Sequence, residues 1–256
     1  MKRIITVTTD FGVKDQYVGV MKGVILSINC DAVIVDITHD IEPHSIVPAA
    51  LIIKNSYKYF PEKSIHLVVV DPGVGSARRA IAASCNNHFF VGPDNGVFSL
   101  VFKESSDLKV FELENKNYFL EDVSSTFHGR DIFSPAAAHL SNGVSISKFG
   151  KKIKDPVTLF VKDYVIDNKL IRGEVIYKDS FGNLITNIPS RLVNKDSEIR
   201  INDILIEGIS QYYSSVSEGS LLAIKGSTGN LEISVNKGSA FKFFNIDNLE
   251  IFIKNK

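Results

Sequence analysis

The stretch Val68 to Arg79, Val-Val-Val-Asp-Pro-Gly-Val-Gly-Ser-Ala-Arg-Arg, constrains the fold of this chain more than any other. Ile65, Leu67, Val68, Val69 and Val70 form an apolar, β-branched run of strand length, the pattern of a buried strand. Asp71 ends the run. Pro72 has no N–H to give to a sheet ladder, so pairing stops there. Gly73 and Gly75 allow backbone angles and close approaches that side chains forbid, and Arg78 and Arg79 follow at once. In an open α/β sheet the residues just past the carboxyl end of a buried strand face the ligand crevice. An acid and an arginine on one such turn are therefore candidate site residues. Asp-Pro-Gly is also an ordinary turn sequence, so spacing alone leaves a solvated turn as the alternative.

The segments before this stretch repeat its logic. Ile4 to Thr9 reads as a strand closed by Asp10-Phe11-Gly12, and Asp15 to Asn29 as a helix with Tyr17, Val20, Met21, Val24, Ile25 and Ile28 on one face. Ala32 to Ile37 reads as a second strand ending in Thr38-His39-Asp40, and Ser45 to Tyr59 as a second helix. This β-α-β-α-β alternation predicts a largely parallel sheet covered by helices. Each strand ends at an acid, so Asp10 and Asp71 are expected along one edge. Ala80 to Cys85 and His88 to Val91 read as a hairpin turned by Asn86-Asn87, with a turn at Gly92 to Gly96 and a short helix over Val97 to Phe102. Leu108 to Leu113 reads as a further strand. Thr126 to Asp131 opens a helix over Ile132 to Leu140, with Asp131 as its expected N-cap.

After Gly173 the pattern becomes short alternating runs at Glu174–Tyr177, Leu184–Ile188, Glu198–Ile201, Ile204–Ile206, Ser220–Ile224, Leu231–Val235 and Leu249–Ile253, the signature of a small β-sandwich or barrel. The expected organisation is an α/β domain over residues 1–155, a linker over 156–172, with the basic Lys148 to Pro156 stretch at its start, and an all-β barrel-like domain over 173–256.

At 256 residues and 44% hydrophobic, the chain can build a sizeable core. Twenty-nine basic and 29 acidic residues cancel, which argues against a general nucleic-acid partner. Cys30 and Cys85 lack metal-ligand spacing and read as reduced core residues of a cytoplasmic protein. Met1 to Ile5 runs straight into a strand, unlike a signal peptide, and no apolar run approaches the ~20 residues of a membrane span.

Several residues have the chemistry of a site. Arg78 can hold a carboxylate through paired hydrogen bonds, and His128 can donate or accept near neutral pH, although spacing does not place it beside Asp71. Lys178 to Asn187 puts an acid, an aromatic, a Gly and an amide in one hairpin. No dinucleotide fingerprint, P-loop, nucleophile elbow or His-Glu-x-x-His motif occurs. Asp10, His39, Asp71 and His128 lack any recognised metal-ligand spacing.

Taken together, Thr9-Asp10-Phe11-Gly12, Asp71 to Arg79, Gly92 to Gly96, Thr126 to Asp131, Asp179-Ser180-Phe181-Gly182-Asn183 and Gly226 to Ile233 resemble, in order and in register, the S-adenosylmethionine hydroxide adenosyltransferases, relatives of the fluorinase and chlorinase. The resemblance covers nearly the whole chain. It implies attack of water on ribose C5′ of S-adenosylmethionine, giving adenosine and methionine. The small-molecule substrate would need no metal or organic cofactor. It further implies a homotrimer with sites between the N-domain of one subunit and the C-domain of the next. Asp71, Arg78 and His128 would activate the water. Asp10, with Phe11 and Phe127, would meet the substrate from the α/β domain, Asp10 at the ribose hydroxyls. Asp179, Phe181 and Asn183 would hold methionine and ribose. Ser227, Glu232, Val235 and Asn236 would lie at the methionine and adenine contacts. Thr228 stands where the fluorinase has arginine, and Asp71 and His128 where it has tyrosines. A halide-using relative and a non-catalytic adenosine or S-adenosylmethionine binding module are the competing readings.

Overall fold

Strand β3 (Ile65–Val69) is buried along its whole length, with side chains alternating between two cores. Ile65, Leu67 and Val69 join one and Val68 and Val70 the other, which is the two-sided burial expected of a strand inside a helix-covered sheet. The computed structural model describes residues 4–245 and 249–255, so Met1 to Arg3 of the expected strand approach lie outside the described residues. The chain divides into two compact units, Met1–Phe160 and Val161–Lys256.

In the first unit β1 (Ile4–Thr9), α1 (Tyr17–Ile28), β2 (Val33–Thr38), α2 (Ile46–Ser56) and β3 follow in the expected alternation. After them come β4 (Ala80–Cys85), β5 (His88–Pro93), α3 (Ser99–Phe102), β6 (Lys109–Glu112), α4 (Ser134–Ser141) and β7 (Lys152–Ile153). The sheet order is β2-β1-β3-β5-β4-β6-β7. Strands β2, β1, β3 and β5 pair in parallel, the expected core of the sheet, and β4, β6 and β7 extend it at one side through antiparallel ladders. The reason is the hairpin: Asn86 and Asn87 take left-handed angles (φ 50° and 60°), the conformation of a two-residue turn, and reverse the chain at once. Strand order switches direction at β1, whose two neighbours are β2 and β3. With Thr9 level with Val69, Asp10 and Asp71 follow at the same edge, the position where open α/β sheets bind ligands.

Several local expectations are revised. Helix α1 buries Val18, Met21 and Ile25, while Tyr17 and Val20 are exposed. The turn expected from Gly92 begins at Asp94, because β5 runs through Pro93. Cys85 is buried but Cys30 is exposed. Asp131 is no N-cap: it lies inside a π-helical turn, Gly129–Phe133, that leads into α4. Lys148 to Pro156 is no free linker either, since it contributes edge strand β7 and Asp155, which accepts from Arg79 Nη1 at 2.9 Å.

The second unit holds β8 (Val165–Asp167), β9 (Leu170–Lys178), β10 (Leu184–Pro189), β11 (Glu198–Ile201), β12 (Ile204–Glu207), β13 (Leu221–Lys225), β14 (Asn230–Val235), α5 (Ala240–Phe244) and β15 (Glu250–Lys254). All seven expected runs form strands. Strand β8 and the start of β9 occupy residues expected as linker. The order β12-β11-β15-β9-β10-β14-β13 is antiparallel throughout, and a bridge from Ser210 to Ile224 brings the chain after β12 beside β13, nearly closing a barrel. Alternation fills it: Leu184, Thr186 and Ile188 point in from β10, and Ile199 and Ile201 from β11. Among the described residues no helix is long and apolar enough to cross a membrane.

Gly92 leaves no room for a side chain: a β-carbon there would collide with the Val68 carbonyl oxygen and press on the Phe98 ring. Gly92→Ala should cost about 1–3 kcal/mol, the usual scale of overpacking, seen as a lower urea midpoint with unchanged slope.

Candidate active site

The turn after β3 is closed by its own backbone. Val74 N–H donates to the Asp71 carbonyl at 3.2 Å and Ser76 N–H to that of Gly73 at 3.1 Å. Ser76 Oγ accepts the Arg78 N–H at 3.2 Å. This curl returns Arg78 onto Asp71 seven residues later. Arg78 Nε donates to Asp71 Oδ1 at 2.9 Å and Oδ2 at 3.1 Å, and Nη2 also donates to Oδ2. The Asp71 and Arg78 side chains are only 5% and 10% exposed, so this is a charge-assisted fork held largely away from water. The Arg78 guanidinium also lies 5.2 Å from the centroid of buried Phe133, a cation–π contact. Arg79 turns the other way, to buried Asp94 at 2.8 Å and to Asp155. Asn95 holds the strand end by donating to the Val70 carbonyl at 2.8 Å.

Arg78 Nη2 also reaches His128 Nδ1, at 2.9 Å. A guanidinium has donors and no acceptor, so His128 Nδ1 must accept and the ring proton sits on Nε2. Burial pushes the His128 pKa below its ordinary value and the Arg78 charge adds to this, while Asp71 and Asp131 pull the other way. Two glycines bring His128 to this place. Gly75 has φ +75° and so little room that a β-carbon would strike the Ser125 carbonyl, seating the Asp71 turn on the loop before His128. Gly129 packs against Val69, Met21 and Phe127, each about as close as a β-carbon would tolerate. Asp131 is fully buried and accepts from Ser124 N at 2.9 Å, Ser124 Oγ at 2.8 Å and Arg130 Nε at 2.6 Å. Its burial alone would raise its pKa, but these donors outweigh that and hold it below the ordinary carboxylate value. Asp131 thus anchors the loop from below instead of capping a helix.

Phe11 and Phe127, from the turns that carry Asp10 and His128, meet edge-on at 5.8 Å, and Tyr17 packs on both rings at 5.6 and 5.3 Å. With Ser124, Thr126 and Arg130 they line an open cleft of about 440 Å³. Asp10 Oδ2 accepts the His44 N–H at 2.9 Å.

In the second unit Asp179 organises its own loop. Its Oδ1 accepts from Phe181 N and Asn183 N, and its Oδ2 from Asn183 Nδ2, all at 2.9 Å. Phe181 is thereby held 78% exposed, an apolar ring presented to solvent. Buried Glu232 accepts from Tyr213 Oη at 2.7 Å and Ser234 Oγ at 2.8 Å. Burial, Glu232 and Asp179 push the Tyr213 phenol up to about 12, so it remains a donor. Asn236 is buried and donates to the Val216 carbonyl at 2.7 Å. Exposed Ser227 lies in the β13–β14 turn, so it and Asn236 flank opposite ends of β14, with Val235 beside Asn236. Sequence reasoning missed Tyr213 and Tyr17, because neither lies in a motif and a lone aromatic carries no spacing signal. Among the described residues no three His, Cys, Asp or Glu side chains converge as metal ligands.

The sequence pattern of the SAM hydroxide adenosyltransferase N-terminal domain matches residues 5–150, and that of the C-terminal domain residues 173–251. The (R)-S-adenosyl-L-methionine hydrolase of Thermus thermophilus is 36% identical over 91% of both chains. The protein of the same name from Methanocaldococcus jannaschii is 33% identical over 96% of this chain and 94% of its own. The crystal structure of an uncharacterised conserved protein from Thermotoga maritima superposes with a TM-score of 0.92 at 38% identity, covering 98% of this chain and all of the other. Fluorinases match more distantly, that of Nocardia brasiliensis at 26% identity over 72% of this chain and 71% of its own.

The Arg78 contact makes a spectroscopic prediction. The His128 ring signals should titrate below the ordinary imidazole value of about 6.5. Arg78→Met removes a charge that opposes protonation, so the midpoint should move up. An NMR titration with a His128→Gln control for assignment checks both directions.

Proposed function

This chain belongs to the SAM hydroxide adenosyltransferase family, and we propose on that premise that it hydrolyses S-adenosyl-L-methionine to adenosine and L-methionine by in-line attack of water on ribose C5′. The observation that carries the proposal is the Asp71–Arg78–His128 assembly at the switch point of the sheet. The sulfonium departs as a neutral thioether, so the leaving group needs no acid. The difficulty lies in a weak nucleophile that must be aligned with the C–S bond, which orientation addresses.

The hydrogen-bond directions divide the work. His128 has its Nδ1 lone pair committed to Arg78 and presents an Nε2 proton, so it orients the water by donating to it. Asp71 is the acceptor of the water proton, held by Arg78 in one plane with lone pairs to spare. Arg78 joins the two and limits their motion. By the same proposal Asp10 receives the ribose hydroxyls, with Phe11 and Phe127 against the sugar and thioether. Asp179, Asn183 and Glu232 offer acceptors and an amide to the methionine and adenine polar groups, with Phe181, Ser227, Val235 and Asn236 completing the contacts. The scheme requires neither metal nor organic cofactor.

The ligand-type residues divide between two units, and Phe181 and Tyr17 are left exposed in them. This supports a homotrimer in which the N-terminal unit of one subunit meets the C-terminal unit of the next, since a cyclic interface repeats one pairing around the ring. A reducing, cytoplasmic location is part of the same proposal, supported by the unpaired cysteines.

Four outcomes test this reading. Incubation with S-adenosylmethionine in oxygen-18 water should yield adenosine labelled at the 5′-hydroxyl, and S-adenosylhomocysteine or unlabelled adenosine as main product would refute it. Run on both sulfonium epimers, the assay should favour the (R) form, the one in the relatives' name. With ribose and methionine both held, inverting sulfur displaces the methyl group and tilts the C–S bond out of line. Asp71→Ala and His128→Ala should each lower the rate by about a hundredfold, the scale of lost acid–base assistance. Added chloride should yield no 5′-chloro product at a competing rate, because a carboxylate beside the nucleophile repels a halide.

Mixing subunits tests the assembly. Asp71→Ala and Asn183→Ala proteins, each poorly active, should regain activity when unfolded and refolded together, because some mixed sites receive both intact partners. No recovery, or a fully active monomer by light scattering, would remove the shared-site proposal.

A further inference from the structure

The turn that carries Asp10 is held by the loop that follows β2. His39 is 5% exposed, with Nδ1 2.9 Å from Thr9 Oγ1 and Nε2 3.1 Å from Asp36 Oδ1. Nε2 lies at ion-pair distance from Asp36 but out of line for a hydrogen bond, so the ring is tied to the turn through Nδ1 and the Thr9 hydroxyl. Asp36 is secured on its other oxygen by Lys22 Nζ of α1 at 2.6 Å. Thr9 is fully buried, and its Oγ1 also accepts the Phe11 N–H at 3.3 Å. The His39 carbonyl accepts the Gly12 N–H at 2.8 Å, with Gly12 in the left-handed region at φ +66°. One residue thus fixes both ends of the Asp10 turn, through its ring before Asp10 and through its carbonyl after it. Five residues on, His44 adopts φ 68°, a conformation that side-chain-bearing residues enter at a cost, and points its N–H at Asp10 Oδ2.

We propose that His39 is a positioning residue for the hydrolysis: it fixes the Thr9–Gly12 turn so that the Asp10 carboxylate meets the ribose hydroxyls in a single orientation. The inference rests on the reading of Asp10 as the ribose ligand. His39 stands apart from the Asp71–Arg78–His128 assembly, which hangs from β3 and the loop before α4. Its loss should therefore weaken binding of the adenosyl portion far more than it slows the chemical step.

The test is a double-mutant cycle on the full-length protein, reading KM and kcat for S-adenosylmethionine and adenosine affinity by calorimetry. His39→Ala should raise KM and weaken adenosine binding by about tenfold, the worth of one well-placed hydrogen bond near a charge. It should leave kcat within about threefold, the pattern of lost ground-state binding. In an Asp10→Ala background the same change should have no further effect on adenosine affinity. His39→Asn, whose side-chain oxygen can accept the Thr9 hydroxyl near the Nδ1 position, should recover most of the affinity. If His39→Ala does not fold, as judged by its melting curve, Thr9→Val removes the linking hydroxyl at equal volume and carries the same cycle. An equal loss in the wild-type and Asp10→Ala backgrounds would overturn the proposal, and so would a drop in melting temperature with KM and affinity unchanged. If Asp10→Ala alone leaves adenosine affinity intact, the ribose reading itself fails and the proposal falls with it, a result that the single variant distinguishes.

Discussion

Arginine can donate five hydrogen bonds and accept none, and the site depends on that one-way chemistry. Arg78 fills the inner face of Asp71 with two nitrogens and spends a further donation on His128. The polarity of every neighbouring group follows. Asp71 is an acceptor held in a plane, and His128 is the tautomer with its proton on Nε2. A lysine could not impose this, because an ammonium is a point charge without the planar fork. The arrangement is also costly, since it holds a charged pair largely out of water. Phe133 beneath the guanidinium offsets part of that cost.

What keeps the Arg78 fork assembled is close backbone packing. The Asp71 turn touches the Ser125 carbonyl at Gly75, and the His128 turn touches β3 and α1 at Gly129. The first contact exists only where a β-carbon is missing, and the second leaves a β-carbon barely enough room. Asp131 locks the second turn by taking the Ser124 N–H and hydroxyl, which leaves the loop little freedom to carry His128 away from Arg78. The same device recurs in the second unit, where Asp179 gathers three donors from its own loop and Gly182 sits against Ser239 with no space for a side chain. In each case a buried or half-buried carboxylate organises a loop by accepting N–H groups that would otherwise lack partners.

The two units present different kinds of surface group. A mixed sheet with covered faces presents strand ends, and the turns there carry the candidate site residues Asp10 and Asp71, with His128 brought beside Asp71 by the turn that leads into α4. An antiparallel barrel presents hairpin loops and inward-facing strand residues, with polar groups held at fixed spacing: Asp179 and Asn183 in a loop, Glu232 in a strand with Tyr213 and Ser234 behind it.

Much of this was written in local sequence. Alternation gave all seven barrel runs, the Asn86-Asn87 pair gave the hairpin, and Val68 to Arg79 gave a buried strand ending in an acid, because side-chain periodicity and turn angles are properties of a few neighbouring residues. Motif order also named Asp71, Arg78 and His128 as candidates. Tertiary structure alone decided that Arg78 bridges to His128 across fifty residues, that Asp131 anchors a loop rather than caps a helix, that Tyr17 and Val20 face outward, and that Tyr213 and His39 stand behind Glu232 and the Asp10 turn. The reason is that each depends on how turns, helices and strands pack together, which no short run of residues encodes. Sequence periodicity determines which face of an element is apolar, but only the packed sheet order determines which polar groups come within 3 Å, and hence which proton points where.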